Sequence, residues 1–140
     1  DYSTKLNYMC QEIRENFKKV FDNGEKGLRD TENSEAIRPN QLFAISLTYP
    51  VINDSKMVLN ILNIVESKLV NRYGIKTLAK GEKGYTEKYF GNEKRRDGSY
   101  HQGISWPWLL GLYYNGLRYS RKAWNSQCKK EKRRVYTKNI

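Results

Sequence analysis

Residues 96–110 read RDGSYHQGISWPWLL, and this stretch decides how the rest of the chain is interpreted. It holds the only histidine of the protein and two of its three tryptophans, and a strongly apolar segment follows it. Ser105 has the short hydroxyl side chain of a helix N-cap, and Pro107 suits a first helical turn because its missing N–H costs nothing there. The stretch therefore predicts a polar loop, from Asp97 to Gln102, that leads into an apolar helix.

The loop and the start of this helix have the composition of a binding-site rim. A helix N-terminus offers unpaired N–H groups and partial positive charge to a polar ligand, and flat indole rings suit the apolar faces of a sugar. We expect Trp106 to stand at the mouth of such a site. Core packing is the expected role of Tyr113 and Trp124, which lie further along the same helical pattern.

The composition is that of one modest domain. A chain of 140 residues with 38% hydrophobic residues and a mean hydropathy of -0.87 can bury a single core. No stretch is long and apolar enough to span a bilayer and no leader opens the chain, so we expect a cytoplasmic protein without a membrane partner. Cys10 and Cys128 lie far apart in helical patterns and are expected to be buried or idle thiols. Two cysteines and one histidine do not suggest a metal site, and no motif suggests a cofactor.

The formal net charge of +11 raises the question of a nucleic-acid partner. The positive charge is concentrated at residues 94–96, KRR, and in the tail at residues 129–134, KKEKRR. Charge runs at a chain end are usually solvated, and no DNA- or RNA-binding motif accompanies these two. Nucleic-acid binding, which electrostatics alone would make strongly salt-dependent, is therefore not expected.

Apolar spacing predicts two helices in the first third of the chain. In residues 3–21 the apolar positions recur at short helical steps, which is typical of an amphipathic helix, and Asn23-Gly24 ends it. A short, almost wholly apolar run then extends from Leu42 to Leu47 and is entered through Pro39. This run predicts a helix that is buried on most sides.

Two more helices are predicted in the rest of the chain. The third is capped by residues 53–55, has a broad apolar face that extends to Val70, and is ended by Tyr73-Gly74. A long loop without helical periodicity covers residues 79–104, and loops of this length are usually functional or disordered. The fourth helix runs from Trp106 to at least Ser120, and its continuation through Cys128 into the basic tail stays open.

Gly111 and Gly116 lower the helix propensity of this fourth segment and indicate close packing against a neighbour. There is no βαβ pattern, heptad or close repeat along the chain. The sequence therefore predicts an all-α fold of about four main helices, in which two long polar loops precede two apolar helices.

The earlier of these loops carries IRPNQ at residues 37–41, and its arginine and amide side chains are of types that often hydrogen-bond a ligand. Arg38, Asn40 and Gln41 would point into the same kind of site as residues 97–102. The alternative is ordinary helix capping with a surface arginine, which these residues alone favour.

Three motifs carry a family resemblance: IRPNQLFAISL at residues 37–47, YGIKTL at residues 73–78 and RDGSYHQGISWPWLLG at residues 96–111. The helix MVLNILNIVESKLV lies between the first two, and a YxxKYFGN approach leads to the third. In this order and spacing they resemble the C-terminal glucosidase domain of glycogen debranching enzymes, the amylo-α-1,6-glucosidase family. The resemblance covers residues 37–117; before it, the likeness is limited to a helix and the GLRD stretch at residues 27–30.

The resemblance implies an (α/α)6 toroid whose loops at one end form a sugar-binding pocket. It also implies hydrolysis of an α-1,6-linked glucosyl residue at a branch of a glycogen-like α-glucan. The substrate-binding residues that match the family's motifs are Arg38, Asn40, Gln41, Asp97, His101, Gln102, Trp106 and Trp108. Among these, Arg38, the amides and His101 are expected to hydrogen-bond sugar hydroxyls, and Trp106 is expected to stack on a ring.

The chain departs from the family at the catalytic groups. An inverting glycosidase needs a protonated carboxyl and, about 6.5–9.5 Å from it, a carboxylate that activates water. The resemblance implies an acid upstream of the region matched by Asp1 and a base downstream, ahead of a QAWS-type helix, so no residue here is assigned as catalytic. Asp97 is the one candidate, but holding Arg38, His101 or a sugar hydroxyl is its expected role.

Four helices are too few for a twelve-helix toroid, so residues 1–140 are interpreted as a single helical fragment of such a domain. Helices without their neighbours leave apolar stripes in water, and we expect self-association through these stripes. Two functions stay open. One is part of a branch-cleaving glycoside hydrolase that meets an α-glucan or oligosaccharide but is inactive in isolation. The other is a small helical carbohydrate-binding or interaction module without enzymatic activity.

Overall fold

The computed structural model describes residues 1–121, and within them the architecture is helical with one small sheet. The α-helices are α1 (Tyr2–Phe21), α2 (Phe43–Ser46), α3 (Ser55–Lys68), α4 (Glu93–Ser99) and α5 (residues 109–121). Two 3-10 turns cover Gly24–Lys26 and Pro39–Leu42. The strands β1 (Val70–Asn71), β2 (Gly74–Lys76) and β3 (Ser105–Trp106) form an antiparallel sheet in that order. The prediction of an all-α class is confirmed.

No helix among residues 1–121 is long and apolar enough to cross a membrane. The predicted continuation of the last helix through Cys128, the core role of Trp124 and the basic run at residues 129–134 lie outside the described residues.

Helix α1 forms where the amphipathic period predicts it, and its start is capped by Asp1, whose Oδ1 accepts from the Ser3 N–H at 3.2 Å. None of its residues is buried. Its contact with the rest of the protein is made by Phe17 and Phe21, whose rings stack at 4.6 Å and are partly buried against the core. Most of the apolar stripe of α1 therefore faces away from the core, and Cys10 on this helix is exposed rather than buried.

The core is centred on α3, which begins where Asp54 Oδ1 accepts from the Met57 N–H at 2.9 Å. Its buried face packs with residues from α2, the sheet and α5. On α5, a Cβ at Gly116 would lie 3.1 Å from side-chain atoms of both Ile45 and Leu62, which confirms the predicted close packing there. The same prediction is wrong at Gly111, where an added Cβ would meet nothing within 4 Å among the described residues.

Two helix boundaries differ from the prediction because a short sheet intervenes. Helix α3 ends at Lys68, since Val70 pairs with Ile75 in the β1–β2 hairpin. The last helix begins at residue 109 rather than at Trp106, since β3 pairs with β2. Ser105 is therefore not an N-cap, and its Oγ accepts from Asn71 Nδ2 at 2.9 Å instead.

The predicted loop at residues 79–104 contains a helix, α4, with Asn92 as its N-cap. Asp97 accordingly lies on α4 and not in a loop. Only seven residues form α4, and its sequence EKRRDGS has no apolar face for a periodicity argument to detect. Helix α4 matters for the site because it ends at Ser99, directly before Tyr100 and His101.

Candidate functional site

Arg38 joins the two loops that the sequence singled out. Its Nη1 donates to the backbone oxygens of Thr77, at 3.0 Å, and His101, at 2.6 Å. Its Nη2 donates to Gln102 Oε1 at 3.2 Å. The prediction that the RPNQ loop and the histidine loop converge is therefore confirmed.

The carboxylate that pairs with Arg38 is Asp30. Asp30 Oδ2 lies 3.2 Å from Arg38 Nε, and only 19% of the arginine side chain and 14% of the aspartate side chain are exposed. The other oxygen of Asp30 accepts from Asn40 Nδ2 at 2.7 Å. The proposed pairing of Arg38 with Asp97 is wrong, because Asp97 is exposed on α4 while Asp30 occupies this position.

A cleft of about 350 Å³ opens beside this network. It is lined by Arg38, Asn40, Phe43, Thr77, Tyr100, His101, Trp106, Trp108 and Leu109. Of the eight side chains predicted from the motifs, Arg38, Asn40, His101, Trp106 and Trp108 line this space. Volumes of about 300–1,000 Å³ are typical of small-molecule sites.

Three predicted residues do not line the cleft: Gln41, Asp97 and Gln102. Gln41 is buried behind it, where its Nε2 donates to Arg38 O at 3.1 Å and its Oε1 accepts from the Leu28 N–H at 3.4 Å. Gln102 is half-buried and is the partner of Arg38 Nη2. Both amides therefore hold the loops in place instead of facing the open space.

Aromatic rings form one side of the cleft. The rings of Tyr100 and Trp106 lie 4.8 Å apart at 58°, and those of Tyr100 and His101 lie 4.9 Å apart at 79°. Trp106 is half-buried, and its Nε1 is enclosed without a hydrogen-bond partner among the described residues. Trp108 is 61% exposed. The cleft thus combines exposed ring surface with the polar edge at Arg38 and Asn40.

Gly103 allows the histidine loop to approach its neighbours closely. Its φ is +129°, and a Cβ there would collide with Thr86 O and lie 2.6 Å from the Tyr85 ring. The Gly103 N–H donates to Thr77 Oγ1 at 2.9 Å. Desolvation raises the pKa of Tyr85, and the hydrogen bond that its hydroxyl donates to Glu87, at 2.9 Å, raises that pKa further.

Sequence reasoning missed Asp30, Phe43 and Tyr100. Asp30 belongs to the GLRD stretch, and the general rule that a poorly exposed arginine needs a carboxylate partner was the available signal. Phe43 and Tyr100 lie inside two of the motifs, but nothing in the sequence pattern marks their rings as facing a cleft. Within residues 1–121 no group of histidine, cysteine, aspartate and glutamate side chains could hold a metal ion.

The fold and the cleft define a helical protein in which the loops around Arg38 and His101 meet at a concave surface of hydrogen-bonding groups and aromatic rings. A family model described as Amylo-alpha-1,6-glucosidase matches residues 2–138, and the chain therefore belongs to that family. This match confirms the resemblance drawn from the three motifs and assigns the chain to a glycoside hydrolase-related domain family. The search of curated proteins found no match to the chain.

Proposed function

We propose that the chain supplies one wall of a saccharide-binding cleft in a glycoside hydrolase that cleaves α-1,6-glucosidic branch linkages in glycogen-like α-glucans. The observation that carries the proposal is the contact of Arg38 with His101 beside the aromatic rings of the cleft. A pyranose has apolar faces and a polar rim, and this cleft offers both kinds of surface. The α-1,6 linkage in this proposal is taken from the description of the family to which the chain belongs.

Within this proposal the described residues bind and orient the sugar and do not transfer protons. No carboxylate lines the cleft among residues 1–121, and Asp30, behind it, already has both oxygens engaged. An inverting mechanism needs two carboxyl groups that face the scissile bond from about 6.5–9.5 Å apart. The acid and the base are accordingly proposed to lie outside residues 1–121.

We also propose that α1 belongs to a larger helical layer, such as the (α/α)6 toroid that the family resemblance implies. A helix of 20 residues with no buried residue leaves an apolar stripe available to a neighbouring helix.

An α-glucan or oligosaccharide is the proposed partner of the cleft.

Calorimetric titration of the chain with isomaltose and with maltose tests the binding proposal. A single wall is expected to bind with a Kd in the millimolar range, which corresponds to about 4 kcal/mol. Trp108→Ala should abolish the heat of binding, whereas Tyr114→Ala is the matched control. Trp108 is 61% and Tyr114 62% exposed, but only Trp108 lines the cleft. Equal binding by the two variants would overturn the assignment of this cleft.

Incubation of the chain with a limit dextrin tests the catalytic part. We expect no more glucose from the wild-type chain than from Trp108→Ala. Release that depends on Trp108 would contradict the proposal that the acid and the base lie elsewhere.

A further inference from the structure

We propose that Asp30 is a positioning residue that determines which atom of the Asn40 side-chain amide faces the saccharide. This inference rests on the function proposed for the cleft. Asp30 is not one of the residues that line the cleft, whereas Asn40 is exposed and lines it. The effect of Asp30 on a ligand would therefore pass through its neighbours.

The orientation of the Asn40 amide follows from the chemistry of its partner. An ionised carboxylate only accepts hydrogen bonds, and Asp30 Oδ2 is already paired with the Arg38 guanidinium at 3.2 Å. Asp30 Oδ1 is 2.7 Å from the Asn40 amide nitrogen. The reversed amide would bring two acceptor oxygens to this separation, and their repulsion excludes it.

The amide oxygen of Asn40 is consequently the atom left for a ligand. It has no hydrogen-bond partner among the described residues, and a carbonyl oxygen accepts from a hydroxyl. Asn40 is therefore assigned as an acceptor for a donating sugar hydroxyl, and not as a donor.

Arg38 lies beside this acceptor, but most of its N–H donors already bind groups within the protein. A guanidinium has five N–H donors. Three of them donate to Thr77, His101 and Gln102, and Nε lies 3.2 Å from the carboxylate of Asp30, which leaves one N–H on Nη2. The polar edge thus offers an acceptor at Asn40 and at most one donor at Arg38, which suits neighbouring hydroxyls of one sugar.

A charge-swap pair distinguishes this role from a merely structural one. In Asp30→Asn, the new amide oxygen can face Arg38 and its nitrogen can face Asn40, so Asn40 turns over and presents a donor to the cleft. In Asn40→Asp, two carboxylates repel each other. In the double variant Asp30→Asn/Asn40→Asp, the amide donates to the carboxylate at position 40, whose second oxygen again faces the cleft as an acceptor.

Isomaltose affinity measured by calorimetry should fall about tenfold in each single variant and return to within about threefold of wild type in the double variant. Glu35→Gln is the matched control: this carboxylate pairs with Lys26 at 3.0 Å and with Arg29 at 3.2 Å on the same segment but does not line the cleft. Its variant should bind as wild type does. A double variant that binds no better than the weaker single variant would overturn the inference.

Two further measurements keep the test decisive. If Asp30 variants unfold, Asn40→Ala, which removes the acceptor, should lose about tenfold in isomaltose affinity, and an affinity within about threefold of wild type would overturn the inference. Without ligand, the side-chain amide signals of Asn40 in a ¹⁵N–¹H correlation spectrum should shift in Asp30→Asn, and unchanged signals would overturn the inference. Failure of wild type to bind isomaltose would instead refute the function proposed for the cleft.

Discussion

The guanidinium Nη1 of Arg38 lies 2.6 Å from the backbone oxygen of His101, a residue 63 positions further along the chain. The same nitrogen also donates to Thr77 O, so one planar group holds a strand end and the histidine loop together. Lysine has a single ammonium on a flexible stem and does not reproduce this fork of donors. The shape of the cleft therefore depends on an arginine at this position.

We predict that Arg38→Lys lowers the free energy of unfolding by about 2–4 kcal/mol, because several carbonyl and carboxylate acceptors lose a charged partner. Urea denaturation measures the loss. Arg96→Lys is the control, since Arg96 Nη1 makes a hydrogen bond of the same length, 2.6 Å, to the single acceptor Gly91 O. A loss at position 96 as large as that at position 38 would contradict the joining role of Arg38.

The two glycines of α5 give opposite predictions for an alanine substitution. Gly111→Ala should stabilise the protein by up to about 1 kcal/mol, because it restricts the unfolded chain and meets open space. Gly116→Ala should be less stable than Gly111→Ala by about 1 kcal/mol or more, since its methyl group would press on Ile45 and Leu62. Thermal unfolding compares the variants, and equal stabilisation by both would contradict the close packing of α5.

The burial of the Tyr113 hydroxyl leads us to predict that the free energy of unfolding falls at alkaline pH. Desolvation raises the pKa of its hydroxyl above the ordinary value, and the nearby carboxylate of Glu66 raises it further. The native state therefore keeps the tyrosine proton at pH values where the unfolded chain has released it. The contribution of this hydroxyl to the free energy of unfolding is fully present below about pH 10, and it is lost as the pH rises from there through the folded-state pKa. Tyr113→Phe should therefore lose less stability than wild type between pH 8 and pH 11.

Urea denaturation at the two pH values provides the comparison for this tyrosine. Tyr114→Phe is the matched control, because Tyr114 is the adjacent residue and its side chain is exposed. The explanation fails if Tyr113→Phe and Tyr114→Phe respond alike to alkali.

The exposed face of α1 predicts self-association of the 140-residue chain. Leu6 and Ile13 lie exposed on this helix, and no residue of α1 is buried. Sedimentation velocity at micromolar concentration should detect dimers or larger species of wild type, and Leu6→Lys/Ile13→Lys should shift the distribution to monomer. Tyr49→Lys, which changes an exposed ring outside α1, should not. A wild-type profile of monomer alone would refute this prediction.

The two long helices were predictable from local information. Apolar spacing indicated α1 and α3, and the carboxylate of Asp54 marked the start of α3. Long-range pairing explains the boundaries that differed: β3 forms only because Ile75 comes to lie opposite Trp106, which no local pattern of residues 105–108 reveals. The seven residues of α4 have no apolar face, so spacing could not distinguish them from a loop.

The candidate site was predictable as a pair of motifs but not as a set of contacts. The resemblance brought Arg38 and His101 together, and the structure confirms their meeting. It did not reveal that most donors of Arg38 are consumed within the protein or that Gln41 is buried. The choice of Asp30 over Asp97 as the partner of Arg38 depends on tertiary geometry, since both are aspartates in polar segments of the sequence.

The most direct test of the account is a ¹⁵N–¹H correlation titration of the wild-type chain with isomaltose, which follows the indole N–H signals of Trp106 and Trp108. Both residues line the cleft, so their signals should shift saturably with a Kd in the millimolar range. Trp108→Ala should remove one signal and abolish the response of the other. If neither indole signal shifts at isomaltose concentrations of about 50 mM, the claim that this cleft is a saccharide site is contradicted.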